Sequence, residues 1–282
     1  MNFPTKWRET VDPFSLKFAK FKLVEVLGYP HAGNDVFYVK GCFENREVLA
    51  FIKFNRQLGA DVENEINVLS QINFDNTPKI IDFDEQKTYR VSLALEGERL
   101  STIVGDNSNM ESLNYMKAYG NTLAKIHQLK GDFKPVKDRK FFHIPTKEYF
   151  EENNLSLDVY EYLTSNAKTN KNLCFCHGDF HYANILWKDK LMTGILDFEL
   201  SGIGIREFDI AWAIINRPGQ RFMNTQIEID TFLNGYSMLE RFDVKSVYYY
   251  MIQIYCWFYP LDEDEYHEFV QKEMDRLIKL AL

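Results

Sequence analysis

The chain has 282 residues, 33 of them basic and 41 acidic, for a formal charge of −8, and 45% are hydrophobic. At about 100–200 residues per domain this length suits two domains or one two-lobed unit with a sizeable core, and 14 Gly and 8 Pro exclude a collagenous or long disordered segment. The acidic balance argues against nucleic acid as a partner, because phosphate backbones need a basic surface, and mildly favours a cationic substrate.

No run of about 18 apolar residues occurs, and the first residues, MNFPTKWRETVDPFSLKF, hold no stretch fit for a signal peptide's hydrophobic region. No membrane partner and a cytoplasmic location are therefore expected. Of the cysteines Cys42, Cys174, Cys176 and Cys256, two stand close together as CFC, which is neither a CxxC redox pair nor a zinc knuckle. They read as reduced packing residues.

In chain order, KLVEVL (22–27), DVFYVKGCF (35–43) and EVLAFIKF (47–54) are rich in β-branched and aromatic residues and predict strands. Beyond Gly59 the spacing of Ile66, Leu69 and Ile72 predicts a helix with Asp61 and Glu63 in its first turn. KIIDFDE (79–85) and TYRVSLAL (88–95) predict further strands. Past Gly97 the period lengthens: 112–128, 146–167 and 226 onward predict helices, with a hairpin at 185–197. The expected fold is α+β, with a small antiparallel-sheet lobe carrying one helix (1–95) and a larger, mainly helical lobe (96–282).

Chemistry concentrates in FCHGDFHYANILW (175–187) and GILDFELSGIGIREFDIAW (194–212). Asp179 and Asn184 are five apart, and Asp197 ends an apolar strand. This spacing matches the HRDxxxxN loop of kinases followed by a metal-holding Asp. Phosphoryl transfer leaves a protein little covalent work, so it must position two anions and neutralise them. An Asp accepts the hydroxyl's proton, while an Asn oxygen and a second carboxylate grip the metal. Lys53 lies inside an apolar strand, where an unpaired ammonium is costly to bury, so it needs an anion. Glu63 and Glu65 compete for that place on the predicted helix. Glu65 is favoured because Val68, Leu69 and Ile72 at +3, +4 and +7 set it at the edge of the buried face.

The arrangement resembles the aminoglycoside phosphotransferase and choline kinase superfamily, the small-molecule branch of the protein-kinase-like fold. HGDFHYAN is similar to its HGDxxxxN signature and LDFE to its metal-binding segment. The resemblance spans about residues 20–212. It implies a two-lobed kinase-like fold, ATP or GTP with Mg2+, Asp179 as catalytic base, and Asn184 and Asp197 as metal ligands. It further implies Lys53 oriented by Glu65 on the nucleotide phosphates, a covering loop at Gly33 and Asn34, and the backbone of Leu93 and Leu95 at the base. His177 and Asp209 would brace the catalytic loop, and the position of Asp209 at the start of an apolar helix pattern also suits a cap. His127 reads as a satisfied core or interlobe residue.

Only 12 positions separate Asp197 from Asp209 and no APE segment follows, which leaves no room for a peptide-presenting activation loop. A small alcohol is the expected acceptor. Among the families resembled, an aminoglycoside-type antibiotic leads, with choline or ethanolamine, homoserine and methylthioribose as metabolic alternatives and a non-catalytic nucleotide-binding pseudokinase as the alternative of another class. Glu199 and His181 are candidates for substrate contact. So are Asp262 and Glu263, within an acidic set that also includes Glu228, Asp230, Glu240, Asp264 and Glu265. The run YYYMIQIYCWFY (248–259) reads as the core of a buried helix ahead of an aromatic cage for a quaternary ammonium. Oligomeric state is left open by the sequence.

Overall fold

The computed structural model describes residues 11–30, 34–55, 61–168, 172–261 and 264–281. The first strands are β1 (Lys22–Gly28), β2 (Asp35–Phe43), along which buried and half-buried side chains alternate, and β3 (Arg46–Phe54). Helix α1 (Val62–Gln71) follows, started by Asp61, whose side chain accepts the Asn64 N–H at 2.9 Å. Strands β4 (Ile80–Phe83) and β5 (Tyr89–Leu93) complete a five-stranded antiparallel sheet of order β1-β2-β3-β5-β4. Its core is Phe37, Val39, Ala50, Ile52 and Val91, all fully buried.

The chain then forms β6 (Glu98–Arg99), α2 (Leu100–Val104), α3 (Leu113–His127), α4 (Lys147–Glu152), α5 (Leu157–Ser165) and β7 (Leu173–Cys176). Next come β8 (Ile185–Lys188) and β9 (Leu191–Ile195), turned by Asp189 and Lys190, both at positive φ (51° and 63°). β10 (Gly202–Ile205), α6 (Arg206–Ile214), α7 (Gln226–Ser237), α8 (Val244–Phe258) and α9 (Asp264–Ala281) finish it. The helix expected over 146–167 is two helices: the chain breaks at Asn153 and Asn154, the latter at φ 55°.

Two compact units result. One holds the chain up to Gly97 together with Thr193–Ser201; the other holds Glu98–Met192 and the chain from Gly202 onward. The short returning segment is fastened within the first unit. Ile195 N–H donates to Asn76 O at 2.7 Å, Thr193 Oγ1 to Glu96 O at 2.6 Å, and Asn64 Nδ2 to Glu199 O and Ser201 O at 3.0 and 2.8 Å. In the second unit β7 and β10 pair antiparallel, Cys176 opposite Gly202. Helices α3 and α7 approach so closely that a Cβ on Gly120 would stand 2.0 Å from Phe232 O, and one on Gly235 would stand 2.1 Å from Lys117 O. The aromatic run of α8 is core: Tyr248, Tyr249, Tyr250 and Tyr255 are all buried. All four cysteines are free thiols.

Candidate active site

In the first unit, Lys53 on β3 faces Arg90 on β5 in direct register, two cations opposed across a ladder. Such a pair is destabilising unless an anion is shared. Glu65, fully buried on α1, supplies it: Oε1 accepts Arg90 Nη2 at 2.8 Å and Oε2 lies 3.1 Å from Lys53 Nζ. Two further carboxylates reach Lys53 from the returning segment, Asp197 at 2.6 Å and Glu199 at 3.0 Å. Glu63, by contrast, is exposed and stands 3.8 Å from Lys87, so Glu65 is the partner of the lysine. Arg90 was not foreseen; the β3–β5 register is the signal that finds it.

Burial alone would depress the Lys53 ammonium, but the charges of Glu65 and Asp197 outweigh it and hold it above its ordinary value. For Glu65 burial works upward and loses to Arg90 and Lys53, which hold the carboxyl below its ordinary value. Glu199 is raised, by burial first and then, against the pull of Lys53, by the negative charge of Asp197. Asp197 itself sits at φ 68°, a left-handed conformation that ends β9 and that Asp tolerates better than most residues. Asn34, the residue before β2, donates Nδ2 to Glu199 at 2.8 Å, while its Oδ1 is buried with no hydrogen-bond partner among the described residues.

The second unit holds the other cluster. The turn after β7 is pinned by Asp209, whose oxygens accept the His177 N–H at 2.9 Å and the Gly178 N–H at 3.0 Å. Asp209 is the fourth residue of α6 and does not cap it; Ile205 occupies that place. His127 adds Nε2 to Asp209 at 3.1 Å and Nδ1 to the Tyr236 hydroxyl at 2.6 Å. Burial would push its pKa down, but the bond to Asp209 raises it to about 9. His177 is fully buried and accepts the Asp179 N–H at 3.3 Å.

Asp179 is held at both oxygens. Oδ1 accepts Trp212 Nε1 at 2.8 Å, Oδ2 accepts Asn184 Nδ2 at 3.0 Å, and His181 Nε2 lies 3.5 Å from Oδ2. Burial favours the neutral acid, but His181 and Arg217 hold this carboxyl below the ordinary carboxylate range. Trp212, Arg217 and Arg139 were missed by the sequence reading. Trp212 lies one helical turn beyond Asp209 and was within reach of spacing arguments; the arginines sit in segments without a period.

The donors suit a hard cation. In the first unit Asp197, Glu199 and Asn34 Oδ1 are all oxygens; in the second, Asn184 bonds Asp179 through Nδ2, which leaves its amide oxygen as an acceptor. Oxygen donors are what Mg2+ and Ca2+ take, whereas zinc favours nitrogen and sulfur. Of the other expected residues, Gly33, Asp262 and Glu263 lie outside the described residues. At Leu93, whose backbone was expected at the base together with that of Leu95, the N–H donates to Lys79 O at 3.0 Å; Leu95 follows half-buried in the connection out of β5. Glu228 does not face a ligand: it is fully buried and closes the capping box of α7 with Thr225.

A family model described as "Phosphotransferase enzyme family" matches residues 26–242. A search of curated proteins found no match. Among solved structures, aminoglycoside phosphotransferase APH(4)-Ia is similar with a TM-score of 0.60 at 12% identity, covering 94% of this chain and 95% of that one. The streptomycin–ATP complex of APH(2")-IIa gives 0.58 at 15% identity over 92% and 94%. Choline kinase LicA from Streptococcus pneumoniae gives 0.54 at 16% identity over 94% and 95%. The fold is thus protein-kinase-like, and it is shared by enzymes of quite different acceptors.

Proposed function

Because the chain belongs to the phosphotransferase enzyme family, whose model spans residues 26–242, we propose that it moves the γ-phosphate of ATP or GTP, with Mg2+, onto a hydroxyl of a small molecule. The observation that carries this reading is Lys53, buried and held at 3.1, 2.6 and 3.0 Å from Glu65, Asp197 and Glu199. An ammonium so neutralised is costly to build for stability alone. It suits a site whose charges are exchanged with phosphates and a cation.

In this reading Asp197 and Asn184 hold the metal, with Glu199 as a further oxygen donor. When bound, the cation neutralises charge on the transferring phosphoryl group. Lys53, oriented by Glu65, binds phosphate oxygens. Asp179, ionised at neutral pH, accepts the acceptor hydroxyl's hydrogen bond. As the acceptor oxygen bonds to the γ-phosphorus, the bond from phosphorus to the leaving nucleoside diphosphate breaks and the proton passes to Asp179. Trp212 and Asn184 keep that carboxylate aimed; His177 and Asp209 keep the loop in place. Neighbours of this fold include kinases named for aminoglycosides and for choline, so the acceptor is a matter for experiment. The aminoglycoside expectation rested more on the breadth of the family resembled than on the acidic set, of which Asp262 and Glu263 lie outside the described residues.

The test is magnesium-dependent transfer from ATP and GTP across amino sugars, choline, ethanolamine, homoserine and methylthioribose. Turnover on one acceptor that falls about 10²–10⁴-fold in Asp179→Asn, with nucleotide binding retained, is the expected result. Nucleotide binding with no turnover on any acceptor would leave the pseudokinase reading in its place.

A further inference from the structure

Two arginines pack on Trp212, the residue whose indole binds Asp179. Arg139 donates Nη2 to Gly178 O at 2.6 Å, on the residue before Asp179, and its guanidinium lies 5.0 Å from the Trp212 ring centre. Arg217 lies 5.1 Å from the same ring and donates Nη2 to Trp212 O at 2.8 Å and Nη1 to Ile215 O at 3.2 Å. Trp212 in turn donates its indole N–H to Asp179. Both guanidinia are half-buried, and among the described residues neither has a carboxylate within ion-pair distance.

The charges do not balance. Asp209, the other carboxylate whose field reaches Arg139, is committed to two backbone amides and to His127, whose raised pKa keeps it cationic at neutral pH. Asp179 is then one negative charge against two permanent positive ones, and burial presses both guanidinia below their ordinary values. Stacking on Trp212 offsets part of that cost. It does not supply the missing anion, and a half-buried guanidinium with spare N–H groups is the side chain that recognises a carboxylate or phosphate by two parallel bonds.

We propose that the molecule bound beside Asp179 carries an anionic group, a carboxylate or a phosphate, recognised by Arg217 and Arg139. The acceptor is thereby an anionic alcohol, whereas a polycationic amino sugar would meet two like charges where its hydroxyl must sit. This rests on the phosphotransferase reading for the word acceptor, and on the second unit's own residues for the anion site.

Three alcohols of equal length test it on the full chain: 4-hydroxybutyrate, 1,4-butanediol and 4-amino-1-butanol, which differ only in terminal charge. Binding is read from the indole N–H resonance of Trp212, assigned with Trp212→Phe, and transfer from product formation with magnesium and ATP. The hydroxy acid is expected to shift the indole at concentrations at least about tenfold below those the diol needs, with the amino alcohol weakest. Arg217→Gln should bring the hydroxy acid down to the level of the diol. Arg139→Gln provides the same reading should Arg217→Gln fail to fold. Equal responses to all three, a preference for the amino alcohol, no response to any, or a preference unchanged in both variants would overturn the proposal. Carboxylate-selective binding supports it even where these short probes are not turned over. Absence of transfer across the wider acceptor panel, with such binding intact, would instead remove the phosphotransferase reading and leave the anion site standing.

Discussion

Glu65→Gln removes one negative charge from between two buried cations, and the structure says which of them is stranded. Lys53 retains Asp197 and Glu199 at 2.6 and 3.0 Å, but Arg90 loses its ion-pair partner and keeps the Ser92 hydroxyl at 2.7 Å. Its Nε is already buried with no partner. Breaking a buried ion pair from one side costs about 3–5 kcal/mol, because the surviving charge stays desolvated. The lower end applies here, since only one cation is orphaned. Equilibrium urea denaturation of Glu65→Gln against wild type measures it. The double variant Glu65→Gln with Arg90→Met takes the orphan away as well and should recover most of the loss, in a coupling of about 1–3 kcal/mol. A loss below about 1 kcal/mol for Glu65→Gln, or a double variant no better than the single, would refute the idea that Glu65 is the shared anion of this pair. The depressed pKa of Glu65 adds a pH signature: its contribution is complete above the ordinary glutamate range and is lost as pH falls through the lowered value, so the gap to Glu65→Gln narrows in acid.

Lys53→Ala should weaken nucleotide use by about 10–100-fold, the worth of one or two charge-assisted bonds, read as KM for ATP; an unchanged KM would remove the lysine from the phosphates. His127, raised from 6.5 to about 9 by Asp209, contributes stability that is complete below pH 6.5 and lost as pH rises through about 9. The advantage of wild type over His127→Gln should therefore shrink across that window by about 3 kcal/mol, and parallel pH profiles in urea denaturation would contradict it. Gly120→Ala should lose more than about 2 kcal/mol in thermal or urea unfolding, because its Cβ would meet the backbone oxygen of Phe232 at 2.0 Å. Gly105→Ala, with open space around it but φ 54° and ψ −117°, where L side chains are strained, should cost about 1–3 kcal/mol from the backbone alone.

The strands of the first unit were legible from their β-branched and aromatic residues, and the helix carrying Glu65 because it buries one face, which writes a period into the sequence. Asp179, Asn184 and Asp197 were legible for a different reason: five residues of spacing and a strand end are local facts. What escaped was non-local. Arg90 looks like any polar strand residue until the register sets it opposite Lys53. The arginines on Trp212 come from a loop and from the residues just after α6, 78 positions apart in sequence (217 − 139), and no period links them. The break at Asn153 and Asn154 escaped because the turn is decided by a single left-handed residue.

The nine residues Thr193–Ser201 rejoin a body the chain has already left. During synthesis the ammonium of Lys53 therefore spends its early life with Glu65 alone, and Asp197 and Glu199 arrive only after most of the second unit has emerged. A nascent first unit is accordingly short of two negative charges and of the strap that carries them. Expressing the first 97 residues alone yields a sheet that lacks two of the carboxylates paired with its lysine, and any attempt to trade halves between relatives must carry this strap with the sheet it serves, although it is encoded inside the other half.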